Sequence, residues 1–512
     1  MLHVYTLLDG TFIGKFYPVF IMQNFLPNKI STNQHCTNLH LASKIKMAEF
    51  LFKEVKLFSS QISHLNFHGM NKLHFTSFLF LLSTFAFGQV GHVMQGVGSS
   101  NMSMGGAATA QPIDISGALQ WNPAAISKFN DTEIRFDIGL FFSSPELNST
   151  VPEIDQNGQP TGNYYSGTTE DDRGVSPMPA LGMVWGSKDS KHTFGASLFG
   201  ISGFGVTFPE SQTNPINMPQ SMGGFGRIES DYMLLQGGVT YAYEITDKLS
   251  FGISPTINYA ALELLPNPTA NPSQTAGYPG TDKASALGFG GQVGLFYGGD
   301  TGFKAGIAYK TAQYFSDFEF DNTYLDGETS TNNFNMDYPA ILSVGLGYTA
   351  GDFDLALDYR MVDYENTDGF SETGWTQTAS VKGFGWDNMD VISAGMQYKG
   401  IDKLPIRLGY TYSSVPIGNE VTFFNIPATA IIKNAFQIGF GYEISESFTL
   451  DAVYHHGASS EETVGPLYHP TMAQNFPPYG AIPGSEVSYE MTTDLFMIGL
   501  SYKFNKSTEE KK

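Results

Sequence analysis

The residues able to do chemistry in this sequence are few and unusually placed. Arg135, Asp137, Lys304, Lys310, Asp354, Asp358, Arg360, Arg407, Lys433, Asp451 and His455 each stand in or beside a run of alternating apolar residues. A guanidinium or ammonium in such a place can fix a carboxylate by a charge-assisted hydrogen bond while apolar neighbours hold a tail. The same charges can instead pair with one another and anchor an internal segment. On the first reading the candidate ligand-binding residues are Lys304, Arg360 and Arg407, with Phe208 and Phe225 as apolar contacts.

Other constellations lead nowhere in particular. His455 and His456 are adjacent, so on a strand they point to opposite faces and do not share a metal; no metal site and no cofactor are expected. Gly288, Gly290 and Gly294 outwardly match a dinucleotide loop, but no helix follows, and they read better as small inward residues. A hydrolase would need a serine or aspartate arranged with His455, His456 or His469, and nothing marks the partner, so no catalytic residue is assigned.

The elements that must hold these charges are strands. In Met491–Phe504, Phe496, Ile498, Leu500, Tyr502 and Phe504 share one face, while Met497, Gly499, Ser501 and Lys503 share the other. The pattern recurs, and its recurrence predicts an all-β fold: a transmembrane antiparallel barrel, apolar toward lipid and small or polar toward a lumen. Strands are expected near 132–143, 178–186, 191–200, 231–243, 248–264, 285–297, 302–315, 338–349, 352–362, 388–399, 404–413, 433–443, 447–457 and 489–504, about fourteen in all. Connections should alternate between short turns such as Ala350-Gly351 and long Pro-, Asn- and Thr-rich loops such as 363–387. The heavy use of Gly (56), Tyr (26) and Phe (41) suits interfacial girdles and a crowded lumen. A net charge of 27 − 49 = −22 excludes nucleic acid as a natural partner.

The start of the chain has its own logic. Met70 to Gly88 has a basic residue, Lys72, an apolar core from Phe75 to Phe85 and small Ala86 and Gly88, the signature of a secretory signal cleaved before Gln89. Residues 1–69, with the one cysteine, Cys36, precede it and are expected to be untranslated or unstructured. Residues 89–130 are glycine-, alanine- and serine-rich without strand period, and carry Trp121 and Ile126, which a free linker would not need; they read as a compact plug. Residues 131–504 form the barrel and 505–512 a charged tail.

Gly105, Ala107, Ala110, Asp114, Ser116, Gly117 and above all Asn122-Pro123-Ala124-Ala125-Ile126, between a signal and the first strand, carry a family likeness. On these residues the chain resembles the long-chain fatty-acid transporter family of Gram-negative outer membranes, which includes aromatic-hydrocarbon transporters. The resemblance implies a hatch within the lumen, with Asn122, Pro123, Ala124, Asp114 and Gly105 as gating residues. It also implies sideways release at a kink in the third strand, for which Gly200, Gly203 and Gly205 are the candidates. External capture falls to apolar loop residues such as Phe208, Met218, Met222 and Phe225, or Leu262, Leu264 and Leu265. The expected protein is therefore no enzyme but a passive, monomeric importer of hydrophobic small molecules, foremost long-chain fatty acids, seated among outer-membrane lipid and lipopolysaccharide. An outer-membrane hydrolase, or an adhesin using the acidic loops, is the alternative.

Overall fold

The structure, a computed structural model, describes residues 91–156 and 159–504. The expected signal segment, the residues before it and the C-terminal tail lie outside that range. Fourteen strands form the wall. They are β1 Thr132–Ile154, β2 Val175–Trp185, β3 His192–Phe208, β4 Ile228–Thr246, β5 Leu249–Leu265, β6 Ala284–Tyr297 and β7 Gly302–Lys310. The second half is β8 Ala340–Ala350, β9 Phe353–Asp363, β10 Met389–Tyr398, β11 Ile406–Ser413, β12 Asn434–Glu443, β13 Phe448–Ala458 and β14 Glu486–Phe504. Each pairs antiparallel with its sequence neighbour, and β14 returns to β1 in register from Thr132↔Phe504 to Thr150↔Glu486. That last pairing closes the barrel and removes its edges.

Side-chain alternation explains why the strands close this way. In β14, Ile498 is 57% exposed on the outside, whereas Met497, one position away, is 3% exposed within. Phe136, Leu140, Phe194, Leu198, Val239, Ile257, Leu346 and Leu357 are likewise exposed apolar side chains. For a water-soluble protein this would be an unfavourable surface; facing lipid it is the required one. At one end the connections run to between two and seven residues, and at the other to between 18 and 29.

Some boundaries differ from those the sequence suggests. β1 continues eleven residues past Ser143, pairing beyond the apolar band with the strand Pro160–Glu170 and with β14. The expected strand 302–315 ends at Lys310, with a separate two-residue pairing of Tyr314–Phe315 against β6. Lys433 sits outside β12 and pairs with Glu461 at 3.3 Å, so it is a loop charge rather than a lumen one. Above the wall, Gly280–Thr281, Phe318–Thr323 and Thr329–Phe334 make a small sheet of their own.

Candidate functional site: a plugged lumen and an unpaired seam

Residues 91–129 fill the lumen. Helices α1 (Ser99–Ser103) and α2 (Ile115–Trp121) are buried over their whole length. Asp114 caps α2, its side chain accepting from the Gly117 amide at 3.1 Å. Asn122 ends α2 and starts the 3-10 turn Pro123–Lys128, accepting from the Ala124 amide at 3.1 Å, with proline at the first position where no amide is missed. Its side-chain amide donates to the Thr109 carbonyl at 2.8 Å and to the Leu295 carbonyl of β6 at 3.0 Å. The Asn-Pro pair thus fastens plug to wall.

The wall is carved to receive it. A Cβ on Gly294 would meet Asn122 Oδ1 at 2.2 Å, and one on Gly252 would meet the Ala124 amide nitrogen at 2.3 Å. Gly105 takes φ +68° and passes so near β11 that a Cβ would stand 2.7 Å from the Tyr410 carbonyl oxygen. Its own carbonyl accepts from Thr411 Oγ1 at 2.9 Å.

The lumen charges converge on the plug. Arg135 donates to Asp137 at 2.9 Å, to Asp451 at 2.8 Å and to Ser99 Oγ at 2.9 Å, and lies 3.3 Å from Asp114. Asp137 in turn accepts from the amide of Ser99 at 2.8 Å, so a carboxylate meets the first turn of α1. Arg407 reaches Asp451 at 2.6 Å and Ser100 Oγ at 3.2 Å. On the opposite wall, Asp358 accepts from the amides of Ala108 and Thr109 at 2.8 and 2.9 Å. Arg360 bonds to Asp358 at 2.8 Å and to the Gly106 carbonyl at 2.6 Å, and its guanidinium carbon lies 3.7 Å from the centre of the Trp121 ring. Lys304 donates to Thr349 Oγ1 at 3.1 Å, one residue from the short-turn end of β8. Lys310 meets the amide oxygens of Gln120 and Gln236 at 3.2 and 3.0 Å. In this closed arrangement the arginines named as ligand cations clamp the plug.

The third strand is kinked, and the kink falls among the glycines. Register against β4 shifts between Gly200 and Ser202, one extra residue that marks a β-bulge. Pairing of β2 with β3 runs from Trp185↔Phe194 to Ala180↔Phe199 and stops there. Beyond it, among the wall strands, residues 175–179 pair only with β1 and residues 200–208 only with β4. Pro177 and Pro179 lie on this unpaired stretch of β2, where a residue without an N–H leaves no donor stranded. The outer end is tied by the Asp172 amide to the Thr207 carbonyl at 2.8 Å and by the Thr207 amide to Asp171 at 2.5 Å. From inside, the plug covers the seam: the Met94 amide bonds to the Ile201 carbonyl at 3.0 Å, and the His92 carbonyl accepts from the Gly203 amide at 3.1 Å. Gly205 faces Arg173, with no room for a side chain between them.

At the long-loop end Phe225 lines a small apolar cleft, with Tyr278, Trp375, Phe423, Phe424 and Pro427 among its walls. Of the other loop residues expected there, Phe208, Leu262 and Leu264 are buried and Met222 is 62% exposed. Sequence reasoning missed Trp375 and Phe423–Phe424. The signal was present in the concentration of two of the four tryptophans, Trp375 and Trp386, in a single long loop. His456 bonds to Asp494 at 2.8 Å, His455 to Gln437 at 3.1 Å and His469 to Thr471 at 2.8 Å. No group of three or more potential metal ligands occurs among the described residues.

A closed barrel with a charge-clamped plug and one unpaired seam defines a class: outer-membrane barrels that pass hydrophobic molecules. The chain belongs to the outer membrane protein transport protein family (OMPP1/FadL/TodX), whose model matches residues 83–505. Its fold is similar to the toluene transporter TodX of P. putida, with 16% identity and TM-score 0.58 over 80% of this chain and 99% of that one. A Pseudomonas aeruginosa FadL homologue gives 14% identity and TM-score 0.62 over 81% of this chain and 100% of that one. The Ralstonia pickettii toluene transporter TbuX gives 16% and 0.55 over 80% and 99%. No curated protein matches the sequence.

Proposed function

We propose that the protein imports hydrophobic small molecules passively, catching them at the Phe225 cleft, holding them above the plug and releasing them sideways between β2 and β3 into the bilayer. The observation that carries this reading is the seam. Strand pairing between β2 and β3 stops at Ala180↔Phe199, and beyond it only plug and loop residues reach that edge of β3; a gap in lipid-facing pairing is costly, so one held open by a bulge and backed by the plug supports passage there. Sideways release lets an oily ligand enter hydrocarbon without crossing a water-filled bore. Movement follows the ligand's gradient and needs neither a catalytic group nor a cofactor.

Long-chain fatty acids are the cargo expected from the family resemblance, and neighbours described as toluene transporters extend the range to aromatic hydrocarbons. A carboxylate head would find Arg360 and Arg407 bound to Asp358 and Asp451, so it could reach them only by exchange as the plug shifts. Gly105, Asp114 and Asn122-Pro123-Ala124 are then the gating residues, and Gly200, Gly203 and Gly205 the flexible side of the exit. The chain works as a monomer among outer-membrane lipid and lipopolysaccharide, exported by cleavage of the 70–88 segment.

The test is uptake of radiolabelled oleate, and separately of a radiolabelled alkylbenzene, by cells lacking their own importers. Deleting residues 89–126, or Asn122→Ala, should change uptake several-fold while the barrel still inserts. Unchanged uptake in both variants would contradict gating by the plug.

A further inference from the structure

The outer rim of the wall carries a polar niche on its lipid-facing side, between β6 and β9. β7 ends at Lys310, β8 begins at Ala340 and β9 ends at Asp363, so these strands stop together where the wall gives way to long loops. Ala340 stands opposite Asp363, and Ile341 opposite Lys310, which brings Thr311 beside Ala340 on the other flank. Thr311, Ala340 and Asp363 therefore form the last outward-facing row, a methyl group between two polar side chains. The rings of Tyr309 and Tyr314, 45% and 67% exposed, flank the gap, and Asn366 and Thr367 complete its lining. The next outward rows are Tyr309, Leu342 and Met361, then Ile307, Val344 and Tyr359, a surface made for hydrocarbon.

The chemistry of the niche is one-sided. Its fixed side-chain donors are spent on the protein itself: Thr311 Oγ1 donates to the Ala312 carbonyl at 2.8 Å, Asn366 Nδ2 to Asp363 Oδ1 at 2.7 Å and Thr367 Oγ1 to the Asp363 carbonyl at 2.5 Å. Apart from the two tyrosine hydroxyls, what remains for a guest is acceptors, foremost the second carboxylate oxygen of Asp363. No lysine or arginine lines the niche. Asp363 joins no ion pair among the described residues. The inward carboxylates of the same wall differ, since Asp137, Asp354, Asp358 and Asp451 each meet an arginine or lysine at 2.8 or 2.9 Å. A half-buried carboxylate at the edge of hydrocarbon is unfavourable without a counter-charge.

We propose that this niche binds the ammonium headgroup of a membrane amphiphile, with Asp363 as its counter-charge, the rings of Tyr309 and Tyr314 on either side, and the hydrocarbon chains lying over the apolar rows beneath. A divalent metal ion needs several oxygen ligands at once, and one carboxylate among neutral neighbours does not supply them. A phosphate head without an amine would meet an uncompensated negative charge. An ethanolamine arm is slim enough to enter beside Ala340, brings three N–H donors to a donor-poor site and leaves its phosphate in water. The site lies on the outside of the wall, apart from plug and seam, and does not depend on what passes through the lumen.

The experiment is native mass spectrometry of the full chain released from detergent micelles, with dioleoyl phosphatidylethanolamine, its N-acetylated form and dioleoyl phosphatidylglycerol added in turn at equal concentration. The oleoyl tails are shared, and only the first lipid carries an ammonium. The parent should retain phosphatidylethanolamine about threefold more than either of the others. Asp363→Asn, which keeps the side chain's size and can still accept from Asn366, should bring all three lipids to one level. Should that variant not fold, Tyr314→Ala carries the test and should lower the preference about twofold. Asp390→Asn removes another exposed acid of the rim, one already bonded to the Tyr359 hydroxyl at 2.6 Å, and should leave the preference intact. Ethanolamine without tails should not displace the lipid. No preference in the parent, a preference that survives Asp363→Asn, or one lost equally in Asp390→Asn would overturn the proposal. Displacement by free ethanolamine at the lipid's own concentration would overturn the assignment to a membrane amphiphile.

Discussion

At the scale of single residues, Asn122 and Asp171 show how much rests on individual polar contacts. Removing the Asn122 amide takes its donor from the buried Thr109 carbonyl and unties the plug from Leu295 of the wall, a loss of about 1–3 kcal/mol. Asp171 lies outside the lipid-spanning wall at the outer end of the seam, where burial pushes its carboxyl up to about 6 against the pull of the Thr207 and Arg173 amides. A raised folded-state value means that its contribution is fully present below the ordinary carboxylate range and is lost as pH rises through about 6. Closure of the outer end is therefore predicted to be firmer near about pH 4.5 than near about pH 7.5. Hydrogen exchange at the Thr207 amide, corrected for intrinsic rate, should rise across that interval in the parent. Asp171→Asn, which can still accept from Thr207, should flatten the profile; an identical rise in both would contradict the assignment. Asn122 was legible in the sequence because Asn-Pro-Ala-Ala has a recognisable setting. His92 was not, since an isolated histidine in a glycine-rich stretch has no period, and the six aromatic rings around it are scattered from residue 204 to residue 386.

At the scale of elements, alternation carried most of the wall and failed where a bulge resets it. Leu198 and Phe199 keep the period, then Gly200-Ile201-Ser202-Gly203 breaks it and reads as the start of a loop, yet β3 continues to Phe208. The same reasoning cut β1 short, because in its last eleven residues the apolar alternation gives way to scattered Leu147, Val151 and Ile154 among polar residues and two prolines. Apart from Lys433, the charges read as lumen-facing are buried inside the wall, but their partners were not legible: Arg135 and Asp451 are 316 positions apart and meet only because β13 and β1 both flank β14. These pairings hold the plug, and breaking one costs more than the pair contributes, since a lone buried charge remains. Asp358→Asn leaves Arg360 without its counter-charge and is predicted to weaken plug attachment by about 3–5 kcal/mol. The expected result is faster proteolysis within residues 91–129 and leakage of small sugars through reconstituted barrels, with the barrel itself still resistant to detergent. A plug as protected as the parent's would show that the glycine cradle, not the charge clamp, holds it.

At the scale of the whole molecule, the solvent for the outer surface is lipid, and that decides both the fold and the choice of cargo. A wall with apolar side chains outside and charges inside is stable only in a bilayer, where the apolar exterior costs nothing and a hydrophobic guest is as much at home as the protein. The long connections all lie at one end, so on the proposed reading capture among them and release at the seam occupy different heights of one barrel. The strand count and the alternation of short and long connections followed from the sequence. The external cleft did not, because it is assembled from four separate loops.

The central claim is that cargo leaves through the wall between β2 and β3. Its most direct test is to delete Ile201, the extra residue of the bulge, so that β3 can pair with β2 beyond Phe199, and to measure uptake of a radiolabelled alkylbenzene and of oleate against the parent at equal surface expression. The account predicts that uptake of both falls to the level of cells without the protein while the barrel remains folded. Undiminished uptake through a variant whose seam is shown by cross-linking to be paired would contradict it.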